Sequence, residues 1–530
     1  MGKALTLGLI LRQRCRVNTC FWIAALGLPL ITTAMAESQP LDQQRPNIIL
    51  IMADDLGFGD LSVQGAKGVN TPAMDALAAS GLRFTNAHSS ASTCTPTRFS
   101  LLTGKMAWRQ KGTGVAPPNG GMLIAPGSTT LPSLLKRGGY ATAVIGKWHL
   151  GLGQPAPDWN GELKPGPLEI GFDHAYLLPT TNDRVPQVIV RDHRVEGLDR
   201  ADPLWVSDKA PAGSQQPTGL SHRHLLKMDW SHGHNQTIHN GVSRIGFYGG
   251  AKAARFRDED LADRWMERAE QWMAEQTNPF FLFFASHDLH VPRLPHERFK
   301  GASQLGPRGD SIVQLDWCVQ RLVQWLRKRD QLKRTLVILC SDNGPVLDDG
   351  YRDQAVEKNA DHRPSGPYSA GKYSVHEGGT RTPFIASWPG RIKPGVSHQL
   401  ICTMDLPATL AALAGVPLRS NDCPDSHNLL AALLGEPQAR GREHLLTQDN
   451  NGNHFGLRVG PWKLIRQKNA LKTQAVTSPV GTTPITGQWG LFNLDQDPGE
   501  RHNLADSHAN KLAELQAKLQ ELLASTSTRP

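Results

Sequence analysis

Short, uninterrupted apolar runs recur along the first two thirds of the chain, and each ends abruptly in polar residues. Runs of this length favour parallel strands that are buried on both faces. Segments with helical character separate them, and the first is bracketed by Pro72 and Gly81. The predicted strands are Asn47–Ala53, 140–145, 279–285 and 335–340, and the longer predicted helices are 258–276 and 311–328. This alternation predicts an α/β fold with a large, mostly parallel central sheet flanked by helices.

The pattern changes outside this alternation. Residues 150–257 are rich in Gly, Pro, Asp and His and show little periodicity, so we expect long insertions over the strand ends there. From about residue 442 the pattern predicts a small α+β unit. Its predicted elements are antiparallel strands within 453–466 and 489–494 and a helix over 511–524. We therefore expect a large N-terminal domain over 37–441 and a C-terminal subdomain over 442–530.

Charged and polar side chains follow each predicted strand. Ligands of parallel α/β sheets bind beyond the carboxyl ends of the strands, so one site could collect all of these groups. Two adjacent acids after a buried strand repel each other unless a cation lies between them, and hard divalent cations prefer oxygen ligands. The residues that could supply such ligands are Asp54, Asp55, Asp342 and Asn343. The alternative for the acidic pair is a solvated turn.

The N-terminus has the pattern of a cleavable secretory signal. An apolar core over 21–31 follows a basic segment without acids, and Ala34-Met35-Ala36 supplies a small-x-small cleavage pattern. We expect cleavage after Ala36 and a periplasmic or secreted protein, and an uncleaved anchor is the alternative. Loss of the four basic residues in 1–36 lowers the formal net charge from +9 to +5. That net positive charge mildly favours polyanionic substrates. The sequence has no stripe of basic and aromatic residues of the kind that would indicate nucleic-acid binding. It also has no 20-residue span that is apolar enough for a membrane helix in the mature chain.

Five cysteines remain after that cleavage. Cys94 lies at the start of a helical run, where the helix dipole stabilises anions, although a buried, weakly reactive thiol is the alternative. Cys318 and Cys340 fall on a predicted helix and strand and are expected to be packing residues. Cys402 and Cys423 could pair in an oxidising compartment, but the sequence does not give the connectivity.

The segment from Cys94 to Gly104, with the spacing Cys-x-Pro-x-Arg followed by Leu-x-Gly, resembles the maturation signature of the formylglycine-dependent sulfatases. Further blocks resemble the same family in order and spacing. They begin at Asn47, Gly146, Ser341, Glu377 and Leu491. The resemblance covers nearly the whole mature chain and implies an alkaline-phosphatase-like fold.

The resemblance also implies cofactors and roles. A maturation enzyme would oxidise Cys94 to formylglycine (3-oxoalanine), whose hydrate attacks sulfur and later expels sulfate. The converted residue would also bind one divalent cation together with the four oxygen donors named above; the resemblance implies calcium, and magnesium is the alternative. The implied roles are diol binding by Arg98, sulfate binding by Lys147 and Lys372, base catalysis by His149 and acid catalysis by His290, with His287 as the competitor for the acid.

Three further sequence blocks bear on the substrate. Blocks at 286–293, 306–310 and 348–351 resemble those of bacterial polysaccharide sulfatases, which implies 6-O-sulfate on galactose or N-acetylgalactosamine. The candidate substrate-binding residues are Arg184, His287, Asp288 and His362. The alternatives are a sulfatase of small aryl sulfates, a phosphate or phosphonate ester hydrolase of the same superfamily, and a non-catalytic carbohydrate-binding relative. The last would lack a catalytic residue, and none is missing.

Overall fold

The four long apolar runs form the middle of a ten-stranded sheet. The computed structural model describes residues 45–468, 485 and 487–530, so the predicted signal segment lies outside the described residues. The strands of this sheet, in chain order, are β1 (Asn47–Ala53), β2 (Leu82–Phe84), β3 (Ala141–Lys147), β4 (His174–Leu178), β5 (Val190–Arg191), β6 (Arg194–Val195), β7 (Phe280–Ala285), β8 (Thr335–Ser341), β9 (Phe384–Ser387) and β10 (Gly395–Ser397).

The spatial order of the strands is β10-β2-β9-β8-β1-β7-β3-β4-β5-β6. Strands β8, β1, β7, β3 and β4 are mutually parallel, whereas β9 is antiparallel to β8 and to β2. Ile48 of β1 lies opposite Phe281 of β7 and Leu336 of β8, so the three strands are in close register. Their carboxyl ends therefore meet at one edge of the sheet.

Helices cover both faces of the sheet, which gives three layers. The α-helices are α1 (Pro72–Ala79), α2 (Cys94–Thr103), α3 (Leu131–Arg137), α4 (Leu261–Ala274), α5 (Gly306–Lys328), α6 (Glu377–Thr380), α7 (Leu406–Leu413), α8 (Leu430–Leu433) and α9 (Ala509–Ala524). Successive residues of β1 point to opposite faces. Ile48 and Leu50 join the core beneath α2, α3 and α7, whereas Ile49 and Ile51 join the core beneath α1, α4 and α5.

A second, four-stranded antiparallel sheet forms the C-terminal part. Its strands are β11 (His444–Gln448), β12 (Phe455–Val459), β13 (Trp462–Arg466) and β14 (Trp489–Asn493), in that spatial order. One face packs on α9 through Leu515 and Leu519. Val375, in the loop before α6, packs with Ile465 and Phe492 of this sheet. The predicted C-terminal sheet and helix are confirmed, whereas the domain boundary at residue 442 stays a prediction.

Two expectations need correction. Residues 150–257 were expected to be long insertions over the strand ends, but part of this segment forms β4, β5 and β6 of the main sheet, and two short antiparallel ribbons lie there as well. Strands of two to five residues are too short to show a period in the sequence, and pairing with neighbours defines them. Cys402 and Cys423, for which a disulfide was possible, are both free buried thiols. Within the described residues, no helix has the length and apolarity needed to cross a membrane.

Candidate active site

Adjacent strands bring four oxygen-bearing side chains together. Asp54 and Asp55 follow β1, Asp342 and Asn343 follow its neighbour β8, and all four are buried. The backbone N–H of Asp55 donates to Oδ1 of Asp342 over 3.3 Å, and Nδ2 of Asn343 donates to Oδ1 of Asp55 over 2.7 Å. The structure thus brings the predicted metal ligands of the two strands into one group.

Cys94 is the first residue of α2 and lies against the loop that follows β3. Its Sγ lies 3.2 Å from Nδ1 of His149, and Nε2 of His149 lies 3.2 Å from the carbonyl oxygen of Ala116. A carbonyl oxygen only accepts, so Nε2 carries the proton and Nδ1 presents a lone pair to Cys94. Thr95 Oγ1 donates to the carbonyl oxygen of His149 over 3.1 Å, which ties the start of α2 to this loop.

Burial dominates the protonation of this pair. Burial raises the pKa of the Cys94 thiol, although Lys147 and Lys372 act in the opposite direction. Burial and the positive charge of Lys147 hold the pKa of His149 well below its usual range. The thiol is therefore protonated at neutral pH and a poor nucleophile, while the imidazole is neutral and able to accept a proton.

Three cations complete the group, and each pairs with a carboxylate. Arg98 Nε donates to Asp342 Oδ2 over 3.0 Å, Lys147 Nζ donates to Asp54 Oδ2, and Lys372 Nζ donates to Asp55 Oδ2 over 2.9 Å. All three side chains are almost completely buried. A buried cluster with this many cations is suited to a ligand that carries negative charge.

The donor set also fits a divalent cation. Oδ1 of Asp54 and Oδ1 of Asn343 are buried acceptors without a hydrogen-bond partner among the described residues. Burial and the neighbouring Asp342 raise the pKa of Asp54 well above its usual range, although Lys147 acts in the opposite direction, so a further cation would stabilise the charged carboxylate. Ligand atoms of Asp54, Asp55 and His290 lie within 4.8 Å of one another, close enough to share one ion. Carboxylate and amide oxygens are the ligands that calcium and magnesium prefer.

His290 lies beside this group, after β7. Its Nδ1 lies 2.8 Å from the carbonyl oxygen of Val291, so Nδ1 carries a proton and Nε2 is the nitrogen left for the carboxylate side. Burial and the positive charge of Lys372 lower its pKa well below the usual range. Asn182 Nδ2 donates to the carbonyl oxygen of His290 over 3.2 Å and fixes the backbone at this position.

Left-handed backbone places several of these side chains. The φ angles of Asp55, His149 and Tyr373 are 63°, 57° and 72°. Residues other than glycine rarely adopt this conformation, which costs on the order of 1 kcal/mol or more and persists where surrounding contacts impose it. Three such residues around one buried group mark it as a functional site.

Only one of the four predicted substrate-binding residues lies at the mouth of this group. Arg184 retains 19% side-chain exposure and interacts electrostatically with Cys94 and Asp349. The other three have interior partners. Trp265 Nε1 donates to His287 Nδ1 over 3.1 Å, Gln314 Nε2 donates to Asp288 over 3.0 Å, and His362 Nε2 pairs with Asp60 over 2.8 Å. Internal hydrogen bonds engage all three side chains, and their role in substrate binding stays a prediction.

Two acids at the mouth were not predicted. Asp183 accepts hydrogen bonds from Arg184 Nη1 over 2.7 Å and from His234 Nε2 over 2.9 Å. Asp349 accepts from Lys372 Nζ over 2.8 Å and from the Tyr373 hydroxyl over 3.0 Å. Asp349 lies in the block 348–351, whose resemblance to polysaccharide sulfatases was the available signal, whereas Asp183 lies in a loop where the sequence contains no signal of spatial position.

A parallel α/β sheet with carboxylates at two strand ends, three buried cations and a cysteine at a helix start defines a hydrolase of anionic esters. The Sulfatase family profile matches residues 46–416, and the profile of the N-sulphoglucosamine sulphohydrolase C-terminal family matches residues 370–529. The chain belongs to the sulfatase family and is a sulfuric ester hydrolase.

Individual relatives are similar over almost their whole lengths. An N-acetylgalactosamine-6-O-sulfatase of Bacteroides thetaiotaomicron is 44% identical over 508 residues, covering 95% of this chain and 98% of that protein. Human arylsulfatase A is 33% identical, covering 90% and 87%. A solved structure described under the metabolism of multiple glycosaminoglycans by B. thetaiotaomicron superposes with a TM-score of 0.86 at 43% identity, covering 90% of this chain and 99% of that chain. The predicted family and fold class are confirmed.

Proposed function

We propose that this sulfatase removes 6-O-sulfate from galactose or N-acetylgalactosamine residues of a sulfated glycan. The observation that carries the reaction is the buried group in which Arg98, Lys147 and Lys372 surround Cys94. The relative that is 44% identical and named for N-acetylgalactosamine-6-O-sulfate supports the sugar and the position. The salt bridge between Asp183 and Arg184 at the mouth supports a hydroxyl-bearing substrate, because it offers an acceptor and a donor side by side.

Conversion of Cys94 to formylglycine by a maturation enzyme would supply the hydroxyl nucleophile that the buried thiol cannot provide. Arg98 lies one helical turn after Cys94, where its guanidinium can hold an oxygen on residue 94. Lys147 and Lys372 both act electrostatically on Cys94 and would neutralise sulfate oxygens. His149 Nδ1 points at residue 94 and would take a proton from it. His290 would give a proton from Nε2 to the leaving alcohol once the negative charge of the bound sulfate offsets the burial and the charge of Lys372, which lower its pKa.

A divalent cation, calcium or magnesium, would bind Asp54, Asp55, Asp342 and Asn343 together with residue 94 and lower the charge on the reacting oxygens. Its support is the pair of buried, unpartnered Oδ1 atoms of Asp54 and Asn343. Export through the N-terminal signal would place the enzyme in the periplasm or outside the cell, where it could bind sulfated glycans.

Position-resolved sulfate release tests this proposal. We expect release from the 6-sulfates of galactose and N-acetylgalactosamine and at least about 100-fold less from 6-sulfated N-acetylglucosamine, because a site built around one hydroxyl rejects analogues that cannot pair with it. A nitrophenyl sulfate and a phenylphosphonate ester belong in the same assay. Turnover of the nitrophenyl sulfate without any sugar sulfate would refute the glycan assignment, and preference for the phosphonate would refute sulfate as the main substrate.

A further inference from the structure

A large cavity lies apart from the buried active-site group. It has a volume of about 1060 Å³ and lies between the end of α7, the turn after it, the start of β11 and residues 528–530. No residue of the active site lines it. Helix α2 starts at Cys94, and the residue that caps its other end, Gly104, lies against Cys423, four residues before His427 of the cavity lining. Ten helical residues span about 15 Å, so Cys423 lies roughly that far from the catalytic position.

The rim of this cavity carries an excess of positive charge. Arg419, Arg440 and Arg529 line it together with a single acid, Glu443, which gives a formal balance of +2. Arg419 and Arg440 are exposed, and within the described residues no carboxylate forms a salt bridge with either of them. Unpaired guanidinium groups around a concavity attract and hold anionic groups such as sulfate and carboxylate.

A fourth arginine, Arg442, lies in the wall of the cavity. Arg442 is buried, and its Nε and Nη2 bind Asp405, with Nη2 also donating to the carbonyl oxygen of Asp425. Nη1 of Arg442 is buried without a hydrogen-bond partner among the described residues. The same is true of Nε2 of His444, which also lines the cavity. Both nitrogens are shielded from solvent, so the exposed arginines of the rim would contact a ligand first.

We propose that this cavity is an accessory site for a sulfated stretch of a glycan chain, separate from the catalytic site. Charge complementarity selects this occupant, because the rim combines unpaired guanidinium groups with a volume that admits more than one sugar residue. The choice of a glycan rests on the proposed function, whereas the anion-binding character rests on the cavity alone. Binding there would raise the effective concentration of a long substrate at the catalytic site without affecting short ones.

The test compares an Arg419→Ser, Arg440→Ser double variant with wild type. The matched control is Arg327→Ser, an exposed arginine at the end of α5. The ligands are a 6-sulfated galactosaminoglycan decasaccharide, the same decasaccharide without sulfate, and a 6-sulfated monosaccharide. Binding is measured by calorimetry in the Cys94→Ala background, and kcat and KM are measured in the active enzyme.

We expect the double variant to bind the sulfated decasaccharide about tenfold more weakly and to show a matching rise in KM, from the loss of two partly exposed ion contacts. The kcat and the constants for the monosaccharide should not change, and the control should resemble wild type. Unchanged decasaccharide binding, or equal binding of the unsulfated chain, would overturn the accessory site. If wild type released sulfate from neither the sulfated decasaccharide nor the sulfated monosaccharide, the proposed function would be overturned instead. The calorimetric binding measurements would still decide whether the accessory site exists.

Discussion

At the scale of single residues, the active site balances three carboxylates against three cations. Asp342, Asp54 and Asp55 pair with Arg98, Lys147 and Lys372 in that order. Burial alone would raise the pKa of Asp342, but Arg98 and Lys147 outweigh it and lower the pKa. The lysines that would hold sulfate are therefore placed by the residues that would hold the metal, and, against the effect of burial, Asp349 and Asp55 raise the pKa of Lys372 well above its usual range.

His290→Ala should affect substrates according to their leaving groups. If His290 protonates the leaving alcohol, kcat/KM for a sugar sulfate should fall by about 100-fold or more, whereas a nitrophenyl sulfate, whose leaving group needs no proton, should lose much less. Steady-state kinetics with both substrates check this, with His224→Ala as the control because His224 is exposed. Equal losses on both substrates would show that His290 has another role.

Exhaustive chelation should abolish activity, and calcium or magnesium should restore it. Removal of the ion leaves the buried carboxylates of Asp54, Asp55 and Asp342 without full compensation, and buried unpaired charge is costly. The measurements are sulfate release and elemental analysis of the same samples, with Asp54→Asn expected to lose bound metal. A metal-free sample with undiminished activity would contradict the proposed metal site.

At the scale of elements, the C-terminal sheet supports the loop that carries Lys372. Lys463 of β13 donates to Glu377 over 2.9 Å and lies 3.4 Å from Glu500. The N–H of Glu377 donates to Glu500 over 2.8 Å. Val375, between Lys372 and Glu377, packs on the same sheet. The small subdomain therefore supports the loop that carries Lys372, through contacts with Val375 and Glu377.

Lys463→Met should destabilise the protein strongly. Two buried carboxylates, those of Glu377 and Glu500, would lose their shared cation, a change that typically costs about 3–5 kcal/mol. Thermal or urea denaturation measures this, and Lys468→Met is the matched control because Lys468 is exposed two residues after the end of β13. Identical midpoints for the two variants would show that the buried network contributes little.

The sequence predicted the elements whose position depends on local pattern. Asp54, Lys147, His149 and Asp342 were found because each directly follows a long apolar strand, and parallel strands end at one edge. Asp183 and Asp349 were missed because loops far apart in sequence bring them to the mouth. His362 was predicted as a substrate-binding residue without its pairing with Asp60, because that pairing arises only in the folded chain.

At the scale of the whole molecule, buried charge networks make stability depend on pH. Burial, partly offset by Lys463, raises the pKa of Glu500 to about 7. A carboxyl whose pKa is higher in the folded state than in the unfolded chain contributes stability below about pH 4.5, and this contribution is lost as the pH rises through 7.

Glu500→Gln should remove this dependence. Between pH 5 and pH 8 the midpoint of wild type should fall relative to that of the variant, because only wild type must ionise a buried carboxyl. Thermal denaturation of both proteins across this range measures the difference. A constant difference between the two midpoints would mean that Glu500 does not titrate in this window.

The central claim is that converted Cys94 is the nucleophile. The most direct measurement is the fraction of converted Cys94, by peptide mass spectrometry, set against specific activity in preparations made with and without a co-expressed maturation enzyme. We predict that activity is proportional to the converted fraction and that Cys94→Ala is folded and inactive. Full specific activity in a preparation whose Cys94 is an intact thiol would contradict this account.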